Sequence, residues 1–221
     1  MIKHLLTLFA CAALLVMGGC TTTRIDQFRQ AATGLKTDES IVILGRREKS
    51  NYETADTFVN CVASSVGAGH DGIKVIPEKE FLDALFPFFE PRTAPMRTAN
   101  LKQLMDVEQA RDRIKSYHIG YIVWVDGTTQ RSGNTGGMTC SVGPSAAGCF
   151  GFGSWQDDSK FEAEVWDMTT LESVGSISTN ANGQSYMPAL IVPIPLIARV
   201  EASACSGLGN QLKQFIAGKS G

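Results

Sequence analysis

Ile119-Gly120-Tyr121-Ile122-Val123-Trp124-Val125 is the most hydrophobic strand-like run in the chain, and its position fixes the reading of what surrounds it. A short apolar run of this kind, rich in β-branched and aromatic residues, reads as a strand buried in a core. Upstream, Asn100 has the character of an N-cap for a helix running to about Tyr117, with Leu101, Leu104, Met105 and Ile114 as its apolar positions. Further upstream, Ile41-Val42-Ile43-Leu44 is a second apolar run, closed by Gly45. Between them, Tyr52 to Val66 places Phe58, Val59, Val62 and Val66 on one face of a helix, with Cys61 beside that face and Gly67-Ala68-Gly69 ending it. Ile73-Lys74-Val75-Ile76 is a short strand, and Pro77 opens a helix through Phe86. The order strand, helix, strand, helix, helix, strand implies an α/β (mixed α+β) fold: a single domain with a mixed sheet flanked by helices.

The chain changes character after this strand. Gly127 to Gly153 is rich in Gly, Ser and Thr and reads as a long loop or a hairpin. Phe161 to Trp166 alternates apolar and acidic residues, and Asp167-Met168-Thr169-Thr170 leads into Leu171 to Ser178, which predicts a C-terminal β-hairpin. A terminal helix is expected from about Val200 to Ala217, stopped by Gly218. Two stretches resist regular structure, Phe86 to Pro95 and Met187 to Ala198, because each contains three prolines. They are edge strands, packed loops or surfaces offered to a partner, with Phe88, Phe89, Ile191 and Ile194 as the partner-surface candidates.

At the amino terminus, Lys3 provides a positive charge, Leu5 to Met17 form an apolar segment broken only by Thr7, and Gly18-Gly19 follow. This is the pattern of a secretory signal peptide over residues 1–19. The apolar run falls short of the roughly 20 residues that span a bilayer. Met17-Gly18-Gly19-Cys20 resembles the lipobox of bacterial lipoproteins, which implies cleavage before Cys20 and lipidation there. In that family Thr21, not being aspartate, implies sorting to the cell outer membrane, facing the periplasm, where several acyl chains give stable anchoring. Residues 20–40 are expected to form a lipidated tether and a short helix, since Ile25, Phe28, Ala32 and Leu35 recur at helical spacing. Residues 41–221 then form one mixed α/β domain.

Lys3 is the only Lys, Arg, Asp or Glu in residues 1–19, so the mature chain of 202 residues carries 19 basic and 22 acidic side chains, a formal charge of −3. That balance gives no electrostatic footprint for nucleic acid. Cys61, Cys140, Cys149 and Cys205 remain beyond Cys20, an even number suited to an oxidising compartment. Three pairings are open; Cys140 with Cys149 is the natural local choice across a short Gly/Ser/Ala segment, and Cys61 with Cys205 then follows. No Cys-x-x-Cys pair or nearby histidine accompanies them, which argues against a metal site.

Over roughly residues 41–182, the order of Ile41 to Leu44, a helix, Ile73 to Ile76, helices, Ile119 to Val125 and a hairpin around Val165-Trp166-Asp167 resembles that of the periplasmic domain of the curli-secretion lipoprotein family and of the amino-terminal domain of the Tol-system β-propeller protein. There, an Asp-x-x-Thr-Gly turn follows such a strand; here Leu171 stands in the place of the glycine. Phe89-Glu90-Pro91-Arg92-Thr93-Ala94-Pro95 and Ser185-Tyr186-Met187-Pro188-Ala189 also resemble an uncharacterised group of proteobacterial lipoproteins, a likeness that implies no activity.

No catalytic constellation emerges. His70 beside Asp71 reads as a solvated turn, and His118 at a helix end reads as a capping group. Gly218-Lys219-Ser220 imitates the end of a phosphate-binding loop, yet Lys213 stands where its first glycine belongs. Asp157, Asp158, Glu162, Glu164 and Asp167 read as the solvent face of a half-buried hairpin. No cofactor is expected. The expectation is therefore an outer-membrane-anchored lipoprotein acting without catalysis through an envelope protein partner in assembly, transport or secretion. The alternatives are an envelope hydrolase and a pore or secretion subunit of curli-secretion type, which needs amphipathic β-segments long enough to cross a bilayer.

Overall fold

The computed structural model describes residues 21–47, 53–143 and 147–218. The signal-peptide and lipobox residues, Cys20 included, lie outside the described residues, as do Tyr52, Lys219 and Ser220. The fold is mixed α/β. Six strands, β1 (Thr21–Arg29), β2 (Ser40–Gly45), β3 (Val75–Ile76), β4 (Ile119–Val142), β5 (Ala147–Asp167) and β6 (Glu172–Pro193), are hydrogen-bonded in the order β1-β6-β5-β4-β2-β3. Five helices accompany them among the described residues: α1 (Asp56–Gly67), α2 (Glu78–Ala84), α3 (Thr98–Met105), α4 (Glu108–Ser116) and α5 (Val200–Ile216). The chain gathers into two compact units. One takes Thr23–Thr128, Ser159–Asn180 and the chain from Glu201; the other takes Thr129–Asp158 and Ala181–Val200 together with Thr21 and Thr22.

The first unit is organised by the parallel trio β4-β2-β3, in which Ile41 and Val42 face Val75 and Ile76 on one side and Tyr121 and Ile122 on the other. All six residues of β2 are buried, as expected of a parallel strand covered on both faces. Val42, Leu44, Ile122 and Trp124 enter a core with Phe81, Leu85, Leu101, Ile114 and Trp166. The alternate positions lie on the opposite face, where α1 packs on β2 and the Phe58 and Phe161 rings stack at 3.5 Å between centroids. The disulfide Cys61–Cys205 ties α1 to α5.

Two sequence expectations change here, and one open alternative is decided. Residues 21–29 form a strand in place of the tether and helix: Thr21, Thr22, Thr23 and Ile25 are β-branched, and the sheet edge at β6 receives them, with the Gln30 amide donating to the Val174 carbonyl at 2.9 Å. Gly175 makes room for this approach, because a Cβ on its backbone at φ +144° would collide with the Phe28 carbonyl oxygen. The helix expected from Asn100 to Tyr117 is two helices. Its first turn already closes on the Arg97 carbonyl, so Asn100 lies inside α3, and only exposed Val107 is apolar between Met105 and Ala110. Of the loop or hairpin expected over Gly127–Gly153, the structure forms the hairpin: residues 127–142 lie in β4 and residues 147–153 in β5.

The β5–β6 hairpin turns where the sequence places it. Asp167 Oδ1 accepts from the Thr169 and Thr170 amides at 2.6 and 3.0 Å, and Leu171 holds φ +56°, the left-handed conformation that a glycine occupies without strain. His118 likewise sits at φ +49° after α4; its amide donates to the Lys115 carbonyl, and its own carbonyl receives the Ser40 amide at 2.9 Å. The expected cap is thus a backbone device that also starts the β2–β4 register.

Candidate functional sites

The parallel strands β2 and β3 end at Gly45 and Ile76, and a cleft of about 480 Å³ opens beside their carboxyl ends, the usual place for a site in such sheets. Leu44, Phe89, Met96 and Trp124 give it apolar walls, while Arg47, Asp56, Glu78 and Asp83 bring charge. Pro77 sets Glu78 as the first residue of α2, directly after β3. One Glu78 oxygen accepts the Gly45 amide at 2.9 Å, and the other lies 3.6 Å from the Arg47 guanidinium, which also holds Asp56 at 2.9 Å. Burial pushes the Glu78 carboxyl above its ordinary value, against the opposing pull of the Gly45 amide and Arg47. Among the described residues that line it there is no Ser, Thr, Cys, His or Tyr, so these residues join no hydroxyl, thiol or imidazole to a base. Sequence reasoning missed it; the signal was Pro77-Glu78 following a strand.

The histidines do not repair that lack. His70 is exposed in a turn, and His118 is engaged through its backbone. The acidic residues grouped in the sequence have separate partners. Asp157 accepts from Trp155 Nε1 and Arg131 Nε, both at 3.0 Å, and Asp158 accepts from Ser132 and Gln156. Glu162 is exposed, while Glu164 is paired with Arg46 at 2.6 Å, so the expected solvent face of Glu162 and Glu164 is only half open. No group of three or more His, Cys, Asp or Glu able to hold a metal ion occurs among the described residues. No helix among them is long and apolar enough to cross a membrane.

The four partner-surface candidates separate. Phe89 is 4% exposed; it stacks toward Trp124 and meets Phe81 edge-on with centroids 4.8 Å apart. Phe88 packs partly buried against the same core. Phe89 is therefore a core residue and Phe88 packs beside it, so neither forms an open docking surface; the Thr93 hydroxyl donates to the Pro87 carbonyl and closes this proline-rich segment, in which Phe86 alone of the phenylalanines turns its ring outward. Ile191 and Ile194 are 61% and 49% exposed. They belong to the second unit, where Leu190, Val192 and Ile197 are also exposed and where Cys140–Cys149 joins β4 to β5. Both expected disulfide pairings are thus formed.

A mixed α/β sheet with a charged cleft and a separate exposed apolar surface is the class of protein these observations define. No family model matches the sequence. No curated protein matches it either. Among solved structures, the chain is similar to the PelC dodecamer from Paraburkholderia phytofirmans in two crystal forms. One, a point variant, is 10% identical with TM-score 0.40 over 90% of this chain and all of that one. The other is 11% identical with TM-score 0.38 over 91% of this chain and all of that one. Likeness at this level assigns no activity to the chain.

Proposed function

We propose that this chain is an outer-membrane-anchored lipoprotein, lipidated on Cys20, that acts without catalysis through contacts with an envelope protein in assembly, transport or secretion. The observation that carries the contact reading is the free edge of β4. β2 accompanies β4 only as far as Val125, and no other strand among the described residues lies on that side in the sheet order, so residues 130–142 present an edge without a strand partner. A long unpaired edge is a template for strand addition by a partner. The Ser, Thr and Gly residues along it leave the backbone accessible. Replacing His70 by Ala and His118 by Asn, a residue that tolerates the left-handed backbone, tests the alternative of a hydrolase. The proposal expects a deletion strain to be fully restored by this variant; loss of restoration by the folded protein contradicts it.

A pore or secretion subunit is the second reading, favoured by the lengths of β4, β5 and β6, which are 24, 21 and 22 residues. Roughly 9–11 residues of a tilted strand suffice to cross a bilayer. Conductance steps across a planar bilayer would support it, and a tight bilayer at saturating protein would exclude it.

A further inference from the structure

We infer that the apolar tip of the second unit is a lipid-contacting face, seated in the headgroup and upper acyl region of the membrane that holds the anchor. The inference rests on the reading of the chain as a membrane-anchored contact protein, and it names lipid as the occupant of the exposed surface around Leu190. Phe150 and Phe152 lie two apart on β5, and residues two apart on a strand share a face. The Tyr186 ring meets Phe152 at 5.9 Å between centroids, which puts Tyr186 on that face, and Leu190, four residues on, follows by the same period. Phe150, Phe152, Tyr186 and Leu190 are all exposed, Leu190 at 81%. The opposite side of β6 is covered: Ala189 and Ser185 are buried, and the Ser185 hydroxyl accepts the Ala198 amide of the returning chain at 3.0 Å. From Ser185 to Leu190, β6 therefore has one covered side and one open apolar side.

Three observations select lipid as the occupant. No Asp, Glu, Lys, Arg or His occurs from Ser132 to Gln156 or from Ser173 to Ala198, whereas Arg131, Asp157, Asp158 and Arg199 stand at the borders of those stretches. A charge-free tip with charges at its base matches the step from water to bilayer. Thr21 and Thr22 belong to the same compact unit as the apolar tip, so an acyl chain on Cys20 would hold this unit at the membrane. An aromatic residue with a polar end, Tyr186, precedes the aliphatic run, in the order found at membrane interfaces.

The depth is limited by the backbone. The free edge of β4 would place unsatisfied amides in hydrocarbon if a single copy crossed the bilayer. Tyr186 to Pro193 spans about 23 Å of extended chain, short of the roughly 30 Å hydrocarbon core. Interfacial seating satisfies both limits.

The test uses the full-length lipoprotein in phosphatidylethanolamine/phosphatidylglycerol vesicles whose acyl chains carry bromine either near the headgroup or near the chain end. Leu190→Trp should be quenched beyond the parent protein, most strongly by bromine near the headgroup, while Asp158→Trp, among the charges that border the tip, should be quenched less. Flotation with the vesicles reports the anchor separately. Flotation without quenching of Leu190→Trp overturns the lipid face and leaves the anchor standing; failure to float overturns both. Quenching strongest from the chain ends overturns interfacial seating in favour of crossing. A shielded Leu190→Trp, together with an oligomer that Leu190→Asp dissociates, assigns the face to a second copy and overturns the proposal.

Discussion

Glu78 places a carboxylate oxygen 2.9 Å from the backbone nitrogen of Gly45, joining the start of α2 to the end of β2. Its carboxyl is raised chiefly by burial, so the folded chain binds its proton more tightly than the unfolded chain. Stability from this group is present below the usual carboxylate range and is lost as pH rises through the raised value. Glu78→Gln keeps an acceptor for Gly45 and should flatten this part of the pH profile. Glu78→Ala leaves the amide without its partner and should cost about 1–3 kcal/mol. Denaturant unfolding of the three proteins between pH 4 and 8 checks both; an unchanged slope in Glu78→Gln contradicts the assignment.

The two disulfides close loops of very different length, with sequence separations of 144 and 9. Chain entropy assigns about 5 kcal/mol to Cys61–Cys205 and about 3 kcal/mol to Cys140–Cys149. Replacing the first pair by alanine should therefore lower the unfolding free energy more than replacing the second. Non-reducing peptide mapping should recover the same two pairs; four free thiols, or Cys61 joined to Cys140, would refute them.

Leu171 turns the β5–β6 hairpin at φ +56° while packing against the core that contains Trp166. Left-handed backbone costs a non-glycine residue roughly 1–2 kcal/mol. In Leu171→Gly the relief of that strain offsets the lost contact, so its stability should stay within about 1 kcal/mol of the parent. Leu171→Ile keeps the apolar volume but adds a branch at Cβ, and should cost more than about 1 kcal/mol. Equal stability of the parent and the isoleucine variant in thermal melts would show that the backbone there is unstrained.

The proposed lipidation rests on Met17-Gly18-Gly19-Cys20. Cys20→Ala should abolish incorporation of labelled fatty acid and block lipoprotein processing. Unchanged labelling and membrane retention would remove the anchor from the account.

Much of the fold was legible because its parallel core speaks in continuous apolar runs. Ile41 to Leu44 and Ile119 to Val125 have no exposed positions to blur the signal, and the helical spacing of Phe58, Val59, Val62 and Val66 marks α1 directly. The strand at Thr21–Arg29 was hidden because Ile25 and Phe28 also fit a helix, and only the edge of β6 decides between them. The length of β4 was hidden because Gly, Ser and Thr between 127 and 142 carry no alternation; pairing with β5 supplies what the side chains lack. Phe89 and Ile191 show the limit for surfaces. Both sit in proline-punctuated apolar stretches, yet one is buried and the other exposed, a difference set by tertiary packing.

The most direct test of the contact account is photo-crosslinking in the native host from Thr135, an exposed residue on the free edge of β4. A photoreactive side chain there, followed by mass spectrometry, should join the protein to an envelope protein, and the adduct should disappear when Lys115 carries the photoreactive group instead. Absence of any protein adduct from Thr135 in a fully functional, membrane-retained variant would contradict the account.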